Sequence, residues 1–141
     1  MSLSDSSVSP ASLRSLLRKL RDADLRKPHI ALAGSRRVSI EGCLSLDFPV
    51  EQALRYLLRF SDGTEEVLWL AAEGGELGVW TSDKHGEERS ARRQVSMTHD
   101  RDGRALVPDW RARIDLETAG IRELSHFLRR LVRGVLAAKN N

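Results

Sequence analysis

The chain has 141 residues, of which 40% are apolar and 30% charged; this size and composition are those of one globular domain, not of a disordered or membrane-embedded protein. No stretch approaches the ~18 apolar residues of a membrane-spanning helix, and the first residues lack the basic and apolar segments of a secretory signal peptide. The formal net charge is +3, and the single cysteine, Cys43, excludes an internal disulfide and favours a reducing compartment, so we expect a cytoplasmic protein.

A short basic helix is predicted near the N-terminus. Residues 1–9 are rich in serine and poor in apolar side chains, which predicts a flexible tail before a single domain at 10–141. Ser9 is a favourable N-cap, and Pro10 suits the first helical position. Four leucines at helical spacing form one apolar stripe among basic residues: Leu13, Leu16, Leu17 and Leu20. We expect this helix to end before Pro28, because the residue that precedes a proline disfavours helical geometry.

From position 29 the apolar residues alternate, which predicts β-strands. Residues 29–33 and 37–48 form the first two strands, joined through a Gly-Ser-Arg-Arg turn, and Gly42 inside the second strand indicates a β-bulge. Residues 54–60 alternate again. The stretch 49–58 fits either a strand or a short helix that begins near its proline, and the sequence leaves this choice open.

Three further strands are predicted in the middle of the chain. The turn at residues 61–64 contains Asp-Gly, which readily takes positive φ and so favours a tight hairpin. Residues 65–72 are almost wholly apolar, which is typical of a central strand. Residues 77–82 and 89–98 follow as two more strands, separated by a polar loop.

The last third of the chain predicts one long strand that leads into a long amphipathic helix. Residues 105–116 alternate, with Trp110, Ala112 and Ile114 on one side. Residues 118–138 change to helical spacing, and their apolar stripe must lie on a sheet or on a partner helix. Together the elements predict an α+β fold, with an N-terminal helix, a curled antiparallel meander of about six or seven strands, and a long C-terminal helix packed on that sheet.

Side chains that enzymes use for catalysis are few and scattered. Cys43 is predicted on the polar side of its strand, and no histidine is spaced to act as its base. The four histidines lie at positions 29, 85, 99 and 126, and there is no second cysteine, so no metal site is predicted. Residues 100–103 are interpreted as a charged turn, since the later ligands of a calcium loop are missing. We therefore expect a non-catalytic protein without a metal or other cofactor.

Charged residues are unevenly distributed along the chain. Residues 1–60 carry 10 basic and 6 acidic side chains, residues 61–88 carry 1 and 8, and residues 89–141 carry 12 and 6. On the last helix, five basic side chains share the face opposite the apolar stripe: Arg122, His126, Arg129, Arg130 and Arg133. The pattern indicates either acidic loops that neighbour basic strands, or a dipolar surface that attracts an anionic partner or favours ordered self-association.

The first functional hypothesis is single-stranded nucleic-acid binding through a basic sheet and helix surface. Guanidinium groups donate paired hydrogen bonds to phosphate, and an exposed indole stacks on a base. The predicted phosphate contacts are Arg36, Arg37, Arg92, Arg93, Arg111 and Arg113. Trp80 is the predicted stacking platform, because it lies on the opposite side of its strand from Leu77 and Val79. The same residues are compatible with solvated faces and with Trp80 packed under a helix.

The alternative hypothesis is a protein-interaction or assembly module. Its partner is an acidic protein or a second copy of the chain, which pairs through an open sheet edge or through the last helix. The predicted helical interface is the apolar stripe Ile121, Leu124, Leu128, Leu131 and Val135. A ligand-binding barrel or an enzyme is the third hypothesis.

The segment from Trp110 to Leu124 resembles the closing segment of the Whirly and transcriptional-coactivator families of single-stranded-DNA-binding proteins. The similarity lies in Ile114, Leu116 and Ile121 besides Leu124, within 15 of the 141 residues. It implies a meander sheet that binds single strands. The chain departs from those families because it lacks their lysine-rich strands and its residues 61–88 are acidic, so the resemblance does not assign it to them.

Overall fold

The structure is a computed structural model that describes residues 7–25, 29–32, 36–44 and 53–139. Its helices are α1 (Pro10–Asp22), a 3-10 turn (Pro108–Trp110) and α2 (Ile121–Lys139). Nine strands occur in these ranges: β1 (His29–Ala31), β2 (Arg37–Cys43), β3 (Ala53–Phe60), β4 (Glu65–Glu73), β5 (Glu76–Ser82), β6 (Arg93–Ser96), β7 (Thr98–His99), β8 (Ala105–Val107) and β9 (Ala112–Ile114). The predicted α+β fold, with a helix at each end of a curled antiparallel sheet, is confirmed.

The main sheet is a six-stranded antiparallel meander in the order β1 to β6. The interior position of β4 agrees with its nearly continuous apolar sequence. Ala53–Phe60 is a strand, which settles the ambiguity for that part of 49–58, whereas residues 49–52 lie outside the described residues. The predicted bulge at Gly42 is present: the register of β2 against β3 shifts between Ile40 and Gly42, whose φ is 147°.

The hydrophobic core lies between one face of the main sheet and the two helices. α1 packs on β3 and β4, and α2 packs on β5 and β9, so a single buried cluster joins both helices to the sheet. Inside it the Tyr56 hydroxyl donates a hydrogen bond of 2.9 Å to the carbonyl oxygen of Leu20, near the end of α1. Burial, together with the nearby Cys43, raises the pKa of the Tyr56 hydroxyl far above its ordinary value.

The N-terminal helix begins at the predicted cap and ends before Pro28. The Ser9 hydroxyl oxygen accepts a hydrogen bond of 3.1 Å from the backbone N–H of Ser12. The flexible tail predicted for residues 1–9 does not extend to its last three residues, because Val8 is buried and its N–H donates to the carbonyl oxygen of Met97 at 2.9 Å. Residues 1–6 lie outside the described residues.

The single long strand predicted at residues 105–116 is wrong. This stretch forms the hairpin of β8 and β9, which belongs to a second antiparallel sheet in the order β7-β8-β9. Pro108 has no N–H to donate to a strand partner and starts the 3-10 turn, after which Arg111 takes the left-handed conformation with φ 52° and ψ 31°.

Within the described ranges, no helix has the length and apolar content needed to cross a membrane.

Candidate functional site

One face of α2 is strongly basic because the opposite face is used by the core. Leu128, Leu131 and Val135 are buried at helical spacing, which turns the residues between them outward. The outward residues include Arg122, Ser125, His126, Arg129 and Arg130.

Strand β9 lies against α2 and adds its own outward side chains to this basic face. Ala112 and Ile114 point into the core, so their neighbours Arg111 and Arg113 are exposed. Between the strand and the helix is a groove of about 550 Å³, here called the arginine groove. Its described lining residues are Arg104, Arg111, Arg113, Arg122, Glu123, Ser125, His126, Arg129 and Arg130.

The charges of the arginine groove are largely uncompensated. Six arginines line it against one carboxylate among the described residues, that of Glu123. Arg113 is the exception, since its Nε lies 2.6 Å from Asp100 and its Nη2 lies 2.9 Å from Asp102. The other five arginines of the lining form no ion pair with any residue that the structure describes, and of these Arg104 is near enough to Asp115 to help to lower the pKa of that carboxyl.

Asp100 is held in its charged form next to the groove. Burial raises the pKa of this carboxyl, but the backbone N–H groups of Arg104 and Asp102 and the guanidinium of Arg113 outweigh that effect and hold the pKa below its ordinary value. The Asp100 carboxylate therefore fixes Arg113 in place and removes part of its charge from the site.

Elsewhere on the molecule, arginines are commonly matched with acids. Ion pairs join Arg36 to Asp62 (3.9 Å), Arg59 to Glu65 (3.1 Å), Arg89 to Asp83 (3.5 Å), Arg92 to Glu88 (3.2 Å) and Arg93 to Asp109 (3.3 Å). Further arginines form no ion pair within the described ranges but come from four separate parts of the chain: Arg14, Arg18, Arg37, Arg101 and Arg133. The arginine groove is thus where unmatched positive charge is gathered in one concave site.

Trp80 is not the exposed stacking platform that the sequence predicted. It does lie on the opposite face of β5 from Leu77 and Val79, but only 6% of its surface is exposed. Trp69, its cross-strand partner, stacks on one side with ring centroids 5.6 Å apart, and the guanidinium carbon of Arg92 lies 3.8 Å from its centroid. The indole is therefore covered by its neighbours and is not free to stack on a base.

The predicted phosphate contacts separate into two groups. Arg111 and Arg113 line the arginine groove together with the helix arginines. Arg36, Arg37 and Arg92 do not line it: the first lies over the ring of Phe60 beside Asp62, the second begins β2, and the third is held by Glu73 and Glu88.

Arg93 also lies outside the groove lining, although it is connected to the groove through the turn that precedes β9. It forms the ion pair with Asp109, and its guanidinium carbon lies 5.6 Å from the centroid of the Trp110 ring. Arg93 therefore holds the turn next to Arg111 instead of presenting its charge to a partner.

The interface predicted on the last helix is largely used inside the chain. Four of its five residues are buried in the core: Leu124, Leu128, Leu131 and Val135. They are therefore not available to pair with a second copy in this fold. Ile121, at the start of α2, is the remaining member and is 62% exposed.

Four arginines of the groove are absent from the predicted contacts. Helical spacing had already grouped Arg122, Arg129 and Arg130 on one face, and this signal was sufficient to find them. Arg104 follows the β7–β8 turn, and nothing in its local sequence indicates that it meets α2.

Comparisons with known proteins give no relative for this chain: no protein-family model, no curated protein and no solved structure matches it.

Proposed function

We propose that this protein is a non-catalytic binding domain for single-stranded nucleic acid, and that the arginine groove holds the phosphate backbone of the strand. The observation that carries the proposal is the gathering of six arginines against one carboxylate, five of them without an ion pair to a described residue. A concave site lined by one sign of charge attracts counter-charged ligands most strongly.

Arginine is well suited to phosphate. Its planar guanidinium donates two parallel hydrogen bonds to the oxygens of one phosphate, and it is less strongly hydrated than the ammonium group of lysine. Ser125, half-buried in the groove, adds a hydroxyl donor between Arg122 and Arg129 on α2. The groove therefore offers several donors for consecutive phosphates.

The lining favours a nucleic acid over an acidic protein as the partner. Protein interfaces draw most of their affinity from a few buried aromatic or aliphatic side chains in well-packed pockets. The described lining of the groove consists of arginine, glutamate, serine and histidine, without an aliphatic or aromatic hydrocarbon side chain. Such a surface matches a polymer whose charge repeats at every unit.

The shape of the site favours a single strand over a duplex. A single strand bends and follows a concave basic groove, whereas a duplex presents its phosphates on a stiff convex cylinder. Since Trp80 is buried beside Trp69 and Arg92, we do not expect a base to stack on it. We accordingly expect binding that tolerates many sequences.

The experiment compares two double variants that lose the same charge. Arg122→Gln/Arg129→Gln removes two groove arginines from α2, and Arg14→Gln/Arg18→Gln removes two unmatched arginines from α1. Affinity for a fluorescein-labelled 12-nucleotide oligothymidylate, measured by anisotropy at 50 mM salt, should fall at least tenfold in the groove variant and less than twofold in the α1 variant. Equal losses of affinity in both variants would contradict binding in the arginine groove.

Competition with unlabelled polymers separates the kinds of partner. The single strand should displace the labelled probe at a concentration at least tenfold lower than a duplex of the same length. Polyglutamate that competes as well as the single strand would instead support an acidic protein partner.

A further inference from the structure

Arg111 is in a backbone conformation that the chain elsewhere gives to glycine. Among the described residues it is the only non-glycine with positive φ, at 52°, while the other five positions are Gly42, Gly63, Gly74, Gly86 and Gly103. The left-handed conformation brings an arginine Cβ close to its own carbonyl oxygen, and the strain lowers the folding equilibrium constant by about fivefold to thirtyfold.

The turn that carries Arg111 is held from two sides. On one side Arg93 pairs with Asp109 at 3.3 Å and lies over the ring of Trp110. On the other side the Trp110 indole lies directly against Gly134 of α2, so closely that even a methyl group would overlap it. The strained backbone is therefore fixed by its neighbours and cannot relax by moving the turn.

The side chain of Arg111 is not used within the described structure. It is exposed, it lines the arginine groove, and it forms no ion pair with a described residue. A structural role would require a contact that repays the strain, and the described residues provide none for the guanidinium. Glycine at this position would give the same turn without the strain.

We propose that Arg111 is the anchor of the groove, the residue whose guanidinium takes a phosphate of the bound strand first and most strongly. This inference rests on the proposed function. Because the turn is already fixed, Arg111 loses little backbone freedom when it binds a phosphate. Arg111 lines the groove together with Arg129 and Arg130, so the strand and the helix both offer guanidinium donors to a ligand held there.

The test uses three single variants of the full chain: Arg111→Gly, Arg111→Lys and, as a matched loss of charge outside the groove, Arg101→Ala. Thermal unfolding is measured without ligand, and affinity for the 12-nucleotide oligothymidylate is measured at 50 mM salt. Arg111→Gly should raise Tm by about 3 °C and weaken binding at least fivefold. Arg111→Lys should keep the Tm of the original chain and weaken binding by a smaller factor than Arg111→Gly does. Lysine retains the positive charge but cannot donate the two parallel hydrogen bonds of a guanidinium. Arg101→Ala should bind within twofold.

Different results would contradict different parts of this account. If Arg111→Gly melts at or below the original temperature, the arginine is structural and the inference is wrong. If Arg111→Gly is more stable but binds as tightly as the original chain, Arg111 is not the anchor of the groove. The proposed function still holds in that case, provided that Arg122→Gln/Arg129→Gln loses affinity. If the original chain does not bind the oligonucleotide at all, the proposed function is wrong, and so is the role of Arg111 that rests on it.

Discussion

Gly134→Ala places a methyl group where α2 has no space for one. A Cβ at Gly134 would lie 2.3 Å from Cγ and 2.4 Å from Cδ2 of the Trp110 indole. Carbon atoms in van der Waals contact are about 3.5–4.0 Å apart, so the indole must move by about 1 Å or more. It cannot do so freely, because Arg93 lies over the same ring and pairs with Asp109 of the same turn.

Two opposing effects decide the sign of this substitution. Helix propensity alone favours alanine over glycine by about 1 kcal/mol. Overpacking typically costs about 1–3 kcal/mol, and the overlap with three ring atoms of Trp110 places this site near the upper value. We expect Gly134→Ala to lower the free energy of unfolding by about 2 kcal/mol, which corresponds to a decrease in Tm of about 6 °C for a domain of this size.

A double-mutant cycle with Trp110→Ala measures this effect by urea and thermal unfolding. Without the indole, Gly134→Ala should stabilise the protein by up to about 1 kcal/mol, because only helix propensity remains. Stabilisation of the original chain by Gly134→Ala, or an equal effect in both backgrounds, would contradict the overlap with the Trp110 indole.

Two further predictions concern hydrogen bonds and pH. Tyr56→Phe should lower the free energy of unfolding by about 1–2 kcal/mol in urea, since the Leu20 carbonyl loses its buried donor. Because burial raises the pKa of Tyr56, the folded protein keeps the hydroxyl proton while the unfolded chain releases it near pH 10. The free energy of unfolding should therefore fall above about pH 10, and it should fall less in Tyr56→Phe. Equal alkaline losses in the two proteins would exclude this linkage. The backbone N–H groups of Glu117 and Thr118 hold the pKa of Asp115 below its ordinary value, so its contribution is present above about pH 4 and lost as the pH falls further. Asp115→Asn should reduce the acid dependence of unfolding, and an ordinary titration of Asp115 by NMR would contradict the hydrogen bonds.

The parts of the fold that depend on local chemistry were predictable from the sequence. The Ser9-Pro10 start of α1 follows from a hydroxyl that caps an N–H three residues later. The β3–β4 hairpin follows from Gly63, which takes φ 88°. A nearly continuous apolar run identified β4, and helical period identified α2.

The hairpin at residues 105–114 was not predictable from alternation. Both Val107 and Ala112 are buried and pair across the hairpin, although they are five residues apart and a single strand would place them on opposite faces. The intervening turn changes the phase, and its left-handed residue is an arginine instead of the expected glycine. The sequence therefore carries no ordinary turn signal for that residue.

Only part of the arginine groove was predictable from the sequence, because local spacing does not show which arginines are paired with acids. Helical period placed Arg129 and Arg130 on one face, but whether an arginine is matched depends on acids that are distant in sequence. Arg92 meets Glu73 through the pairing of β5 with its neighbours, and the same register covers Trp80 with Trp69. Such pairings are set by strand register, which single-sequence patterns do not specify.

The salt dependence of oligonucleotide binding tests the arginine groove most directly. If each of the five groove arginines without an ion pair neutralises one phosphate, the logarithm of the binding constant should fall with the logarithm of salt concentration at a slope of about −3.5, since each contact to a single strand contributes about −0.7. In Arg122→Gln/Arg129→Gln the slope should be shallower by about 1.4, and in Arg14→Gln/Arg18→Gln it should be unchanged. A slope near zero in the original chain, or the same slope in the groove variant, would contradict phosphate binding in the arginine groove.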